Sequence, residues 1–178
     1  MSTRTQEAPV QARRETEMQI VILYDTKFGN TEKIARAVAR GASELGTVRL
    51  MDGSQIVLPF ADRPDLLLVG GPTQKRGMSP GFREVVDALV SGDVQALPTA
   101  SFDTRYRGST WLMGSAASEA AKPLQKAGAM LVTAPESFFI GRGGPLERQA
   151  LETGEVERAE AWGRAVGAAA LASGRTAA

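Results

Sequence analysis

The sequence predicts a single α/β domain: a mainly parallel sheet with helices packed on both faces. Three observations carry this. From Met18 onward, short apolar runs alternate with amphipathic helical patterns, the signature of βαβ units. The first of these runs, residues 19–24, is apolar almost throughout instead of alternating, as a strand covered on both faces must be. A chain of 178 residues, 43% hydrophobic and 23% charged, is long enough to bury one substantial core.

The elements follow in order. Residues 1–17 are polar, carry Pro9 and show no apolar period, so a flexible N-terminal tail is expected. The first strand occupies 19–24. A helix follows, because Ile34, Val38, Ala42 and Leu45 recur at helical spacing, and Gly46 can end it. Residues 47–51 form a second strand and 65–70 a third, with a weak helical segment between them. Phe82, Val85, Val86, Leu89 and Val90 make the next helix, and 99–103 the fourth strand. Ala117, Ala120, Ala121 and Leu124 suggest a further helix that Pro123 should interrupt or kink. Residues 129–133 and 137–140 give a fifth strand or a broken pair. The last helix begins near Gly154, with Val156, Ala159, Trp162, Gly163, Val166 and Ala170 on one side, which makes Trp162 a core residue. The folded domain is expected over 18–171, with 172–178 as a frayed tail.

Composition narrows the chemistry. With neither cysteine nor histidine, the chain has no disulfide, no thiol nucleophile, no thiolate or imidazole metal ligand and no imidazole proton shuttle. Demanding chemistry must then come from a cofactor. Asp25 and Asp103, both at strand ends, are too few to indicate a metal. Twenty-one basic and 20 acidic residues give a formal charge of +1, no global reason to expect nucleic-acid binding. Arg13 and Arg14 precede an apolar run too short for an export signal, and no stretch approaches the roughly 20 apolar residues of a membrane span. A cytoplasmic protein without membrane insertion is expected.

In a doubly wound sheet, ligands bind at the carboxyl ends of the strands, where the winding reverses. The loop after the first strand reads Asp25-Thr26-Lys27-Phe28-Gly29-Asn30-Thr31. Thr26 and Thr31 supply hydroxyls, Asn30 an amide, and Gly29 lets the backbone bend close to a ligand. Amide N–H groups at the start of the following helix favour a phosphate. No phosphate-binding G-x-x-x-x-G-K-[ST] loop occurs, and Gly141-Arg142-Gly143 is only a fragment of a dinucleotide fingerprint, better explained as a sharp connection through Leu146.

The run Ile22-Leu23-Tyr24-Asp25-Thr26-Lys27-Phe28-Gly29-Asn30-Thr31-Glu32-Lys33-Ile34-Ala35 resembles the phosphate-binding opening of the flavodoxin family. Gly70-Gly71-Pro72-Thr73 is similar to the family's loop after the third strand, and an aromatic segment follows the fourth. The resemblance spans roughly residues 18–170. It implies a flavodoxin-like five-stranded sheet in the order 2-1-3-4-5 and a non-covalently bound flavin mononucleotide (FMN). Thr26, Lys27, Phe28, Gly29, Asn30 and Thr31 would surround the phosphate, with Phe28 standing where many relatives have threonine. Pro72, Thr73 and Gln74 would approach the isoalloxazine ring, with Gly77 giving the loop freedom. Phe102, Asp103, Thr104, Arg105 and Tyr106 would cover its other side.

Tyr106 or Trp111 could stack on a planar ligand. Lys75, Arg76, Arg105 and Arg107 could converge on one basic rim, which departs from the acidic character of shuttling flavodoxins and should raise a flavin's reduction potential. The family therefore implies an electron-transfer flavoprotein whose partner is a redox protein or a small-molecule donor or acceptor. An NAD(P)H-quinone or protoporphyrinogen-type oxidoreductase is the alternative, and a non-catalytic interaction module a second. A phosphoacceptor receiver is a poor match, because the third strand ends in Val69-Gly70-Gly71 and lacks the aspartate that chemistry needs.

Overall fold

The computed structural model describes residues 17–92, 94–141 and 149–176, so all but residue 17 of the tail expected over 1–17, and all but Gly141 of the turn expected over 141–146, lie outside the described residues. The chain forms β1 (Met18–Tyr24), α1 (Asn30–Ala42), β2 (Gly46–Asp52), β3 (Leu66–Gln74), β4 (Gly77–Met78) and α2 (Pro80–Ser91). There follow β5 (Pro98–Tyr106), α3 (Thr110–Met113), α4 (Ala116–Lys126), β6 (Met130–Leu131), β7 (Glu136–Ile140) and α5 (Glu155–Thr176).

The parallel sheet runs β2-β1-β3-β5-β6, and β7 pairs with β5 beyond β6. This is the expected winding with its edge strand in two pieces, both parallel to β5. Pro135, which has no amide hydrogen to give a ladder, lies in the break. Three local features differ from expectation. Between β2 and β3 the chain makes only a 3₁₀ turn over Gly53–Gln55, in a stretch where Pro59 and Pro64 lack the N–H groups a helix needs. Helix α4 runs through Pro123 to Lys126, because the loss of one bond so near its end is tolerated. Helix α5 continues past residue 171 to Thr176.

Alternation along the strands sorts the core into two layers. Ile20, Ile22, Tyr24, Leu66, Leu68, Phe102 and Phe138 face α1 and α5, while Val21, Leu23, Leu67 and Val69 face α2 and α4. On the first side, Trp162 meets Phe102 and Phe138 edge to face, at 5.9 and 6.0 Å between ring centroids. Helices α1 and α5 approach until their backbones touch: a Cβ on Gly41 would lie 1.9 Å from the Glu160 carbonyl oxygen, and one on Gly163 2.2 Å from that of Val38. The Arg40–Glu160 and Arg164–Glu44 pairs flank this contact. Among the described residues no helix is long and apolar enough to cross a membrane.

Candidate functional site

The carboxyl ends of β1, β3 and β5 open into one cleft of about 430 Å³, within the roughly 300–1,000 Å³ range of small-molecule sites. Its lining joins the β1–α1 loop to the ends of β3 and β5, to α3, and to Ile140 and Gln149 on either side of the last connection.

One end is the start of α1. Gly29 is the helix N-cap at φ 81°, a left-handed conformation for which glycine pays no steric cost. The Thr26 hydroxyl accepts from the Gly29 N–H at 3.0 Å, closing the turn and leaving its own hydrogen to donate. The first intrahelical bond comes from Lys33 N–H to Gly29 O, so the amides of Asn30, Thr31 and Glu32 precede the helix's own ladder. The Asn30 side chain donates from Nδ2 to Gln149 O at 3.0 Å, tying the loop to the last connection. The Thr31 and Thr104 hydroxyls share a buried hydrogen bond of 2.8 Å that joins α1 to β5. Nothing lies within 4 Å of where a Cβ on Gly29 would stand, so the turn is open on its outer side.

The opposite end is assembled by contacts between distant segments. Lys75 and Arg76 make the two-residue turn of a hairpin between β3 and β4, at φ 47° and 74°. Such turns normally use Asn-Gly, which is why Lys-Arg gives no hairpin signal in the sequence. The turn is strapped down: Arg76 donates to the Trp111 carbonyl at 2.9 Å, and a Cβ on Gly114 would meet the Arg76 carbonyl oxygen at 1.9 Å. At the foot of the hairpin Glu119 accepts from Met78 N–H at 2.7 Å and from Arg83 at 2.6 Å. Burial pushes the Glu119 carboxyl up, but the Arg83 and Met78 bonds outweigh it and hold it below the usual range.

Asp103 organises this end from beneath. It is wholly buried, and its Oδ2 accepts from Thr73 Oγ1 at 3.0 Å, Ser115 Oγ at 2.7 Å and Ala117 N–H at 3.0 Å. Thr73 Oγ1 in turn accepts from Ala116 N–H at 2.9 Å. One carboxylate thus ties the end of β3 to the start of α4. Its other oxygen, Oδ1, has no hydrogen-bond partner, with Arg105 Nε 3.9 Å away.

Of the residues expected at the site, Thr26, Lys27, Phe28, Asn30, Thr31, Pro72, Thr73, Gln74, Thr104, Arg105 and Tyr106 line the cleft. Phe102, Asp103, Gly29 and Gly77 do not. Phe102 sits in the core beneath Gly70, where a Cβ would come within 2.1 Å of its ring, and Gly71 makes the same room for Phe82. The glycine pair of β3 therefore makes room for core rings. Gly77 packs against Glu119, whose Oε2 a Cβ there would meet at 2.4 Å. Asp25 accepts from the Ser79 hydroxyl at 2.5 Å.

The basic residues divide. Lys27, Lys75, Arg76 and Arg105 line the cleft. Arg105 is buried and donates to Ser137 Oγ and to the Tyr106 and Gly108 carbonyls. Arg107 turns to Glu152 at 2.6 Å and covers the Phe139 ring at 4.1 Å, so it does not join the rim the sequence suggested. Leu112, Met113, Ile140 and Gln149 line the cleft without having been anticipated; the apolar run Trp111-Leu112-Met113 between Gly108 and Gly114 was the one available signal.

The donor set fits a flavin nucleotide. The open turn and amides at the start of α1, with Lys27 and the Asn30 and threonine side chains, suit a phosphate. Pro72, Tyr106, Leu112, Met113 and Ile140 supply an apolar slot for a flat ring system.

The flavodoxin family model matches residues 22–162. Among solved structures, the chain is similar to a flavodoxin from the domain Archaea at 17% identity and TM-score 0.70, covering 86% of this chain and 99% of that one. It is similar to oxidised flavodoxin 1 from Bacillus cereus at 20% identity and TM-score 0.68, covering 84% and 97%. It is also similar to a WrbA-like flavodoxin from Agrobacterium tumefaciens at 22% identity and TM-score 0.66, covering 86% and 98%. No curated protein sequence matches the chain.

Proposed function

This chain belongs to the flavodoxin family of flavin-binding electron-transfer proteins, and we propose that it holds FMN in the cleft at the ends of β1, β3 and β5. The observation that carries this reading is the pairing, within one cleft, of an open helix start with an apolar slot. Once bound, the flavin would supply the redox chemistry. The chain's own contribution is positional and electrostatic. The α1 amides, Thr26, Asn30 and Lys27 fix the phosphate. Pro72, Tyr106, Leu112 and Met113 exclude water from the ring. Lys75, Arg76 and Arg105 favour added negative charge there and so a higher reduction potential. Phe28 brings no hydroxyl, so its backbone alone serves the phosphate.

The test is purification, a visible spectrum and reconstitution with FMN. Uptake giving a yellow protein with one flavin per chain is expected; a colourless protein that takes up no FMN overturns the reading. Anaerobic mixing with NADH or NADPH, followed by a quinone, then separates a nucleotide-driven oxidoreductase from a carrier reduced by another protein. A cytoplasmic setting, compatible with a chain that has no cysteine, belongs to the same reading.

A further inference from the structure

Beyond what fixing the phosphate and covering the ring require, the cleft's rim carries a cationic hairpin tip, Lys75 and Arg76, and an exposed aromatic side chain, Trp111, outside the lining. Among the described lining residues are four cations, Lys27, Lys75, Arg76 and Arg105, and no carboxylate. Arg105 lies 3.9 Å from Asp103. Among the described residues, no carboxylate forms an ion pair with Lys27, Lys75 or Arg76. The nearby acids are taken: Glu119 by Arg83 and Glu152 by Arg107.

Beside these cations stand the most exposed aromatic side chains of the described residues, Trp111 at 84% and Phe28 at 66%, with Leu112 at 57%. Trp111 does not line the cleft; it stands outside, on the turn of helix whose carbonyl Arg76 holds. The surroundings hold the turn in place: the hairpin keeps two non-glycine residues at positive φ, a conformation that costs about 1–3 kcal/mol per residue and persists only where surrounding structure enforces it.

We propose that the tip of the β3–β4 hairpin and α3 form the docking surface for an acidic partner protein, with Trp111 as the apolar anchor and Lys75 and Arg76 opposite its carboxylates. Tryptophan and arginine are the residues that most often dominate protein interfaces. A small anion would be served by the cations within the cleft and would leave Trp111 and Phe28 facing water; a protein surface covers both. The inference rests on the flavin reading only for the purpose of the contact.

With a formal charge of only +1 on the whole chain, the salt dependence of an encounter at this cleft reports the rim and not the net charge. The experiment uses the full-length, FMN-loaded protein with two probes. Reduced plant-type ferredoxin, which is acidic, gives one electron to the oxidised flavin and is itself oxidised. Cytochrome c, which is basic, takes one electron from the reduced flavin and is itself reduced. The ferredoxin rate should fall roughly tenfold or more between low and high salt, as steered encounters do, while the cytochrome rate stays flat or rises. The double substitution K75E/R76E should reverse both trends, and Trp111→Ala should slow ferredoxin at every salt concentration. A ferredoxin rate that is flat or rises with salt overturns the proposal. So does saturable inhibition by NADPH with no effect of Trp111→Ala, which would mark a small-anion site. A flavin-free readout separates this failure from failure to bind FMN. Trp111 emission, taken as the difference between the native chain and Trp111→Phe and referred for each ion to a neutral tryptophan derivative, should be quenched relatively more by iodide than by caesium, and K75E/R76E should invert that order. An iodide-to-caesium ratio equal to that of the neutral derivative counts against the cationic rim whether or not flavin binds.

Discussion

The two ends of the cleft are built in different ways. The β1–α1 end is mainly local: Thr26, Gly29 and Lys33 lie within eight residues of one another and set the turn with bonds among themselves, while Asn30 and Thr31 reach out to Gln149 and Thr104. The β3–β5 end is convergent, with Asp103 of β5 drawing together Thr73 at the end of β3 and Ser115 and Ala117 at the start of α4. A local site tolerates damage elsewhere, because its geometry is carried by its own helix. A convergent site fails as a unit when its hub is removed.

Removing the hub should therefore have the largest effect. Asp103→Ala leaves the Thr73 and Ser115 hydroxyls and the Ala117 amide without their acceptor, and should cost about 3 kcal/mol or more in urea unfolding. Asp103→Asn, which keeps one acceptor oxygen, should cost visibly less; equal losses would mean that Asp103 matters through its volume and not its bonds. Next is Gly70→Ala, which forces a methyl into the Phe102 ring and should cost about 1–3 kcal/mol by overpacking. FMN binding measured well below the unfolding range, where the variant is folded, should survive, since the residue faces the core. A selective loss of FMN affinity would instead put Gly70 at the ligand.

At the local end the effects are smaller and of another kind. Asn30→Ala removes the bond to Gln149 and one donor for phosphate. It should weaken FMN binding roughly tenfold, the 1–1.5 kcal/mol of one such bond, with little change in unfolding free energy. A tenfold loss for riboflavin as well would show that Asn30 shapes the cleft and does not read the phosphate. The smallest effect concerns pH. The Glu119 carboxyl is held below its usual value in the folded chain, so its stabilisation is full above the unfolded pKa and is lost as pH falls through the folded one. The clasp between β4 and α4 should loosen only as pH falls below the usual carboxylate range, seen as a lower hydrogen-exchange protection factor at the Met78 amide. Glu119→Gln should abolish that pH dependence.

The same contrast explains what the sequence disclosed. The β1–α1 loop was legible because its chemistry is contiguous: an apolar strand, a polar turn with glycine, then a helical period. The sheet winding was legible for the same reason. The β3–β4 hairpin was not, since Lys75 and Arg76 occupy backbone conformations that sequence patterns assign to glycine and asparagine. Nor were the roles of Phe102 and Asp103, adjacent residues on opposite faces of β5: one fills the core beside Trp162, the other anchors the site from below. Both were expected at the ligand because the segment follows the fourth strand, yet on a strand the side chains alternate and only the packing partners decide which face serves the cleft. Arg107 was likewise indistinguishable from Arg105 until Glu152 was in place.

Whether the start of α1 reads a phosphate is tested most directly by the binding of FMN compared with riboflavin. Both carry the same ring and differ in the phosphate alone. Titration of the flavin-free chain with each, followed by flavin fluorescence, should show FMN bound roughly a hundredfold or more tighter, the 3 kcal/mol or so expected of two charge-assisted hydrogen bonds. Equal affinities for the two flavins, or no binding of either, would contradict a phosphate site at the start of α1.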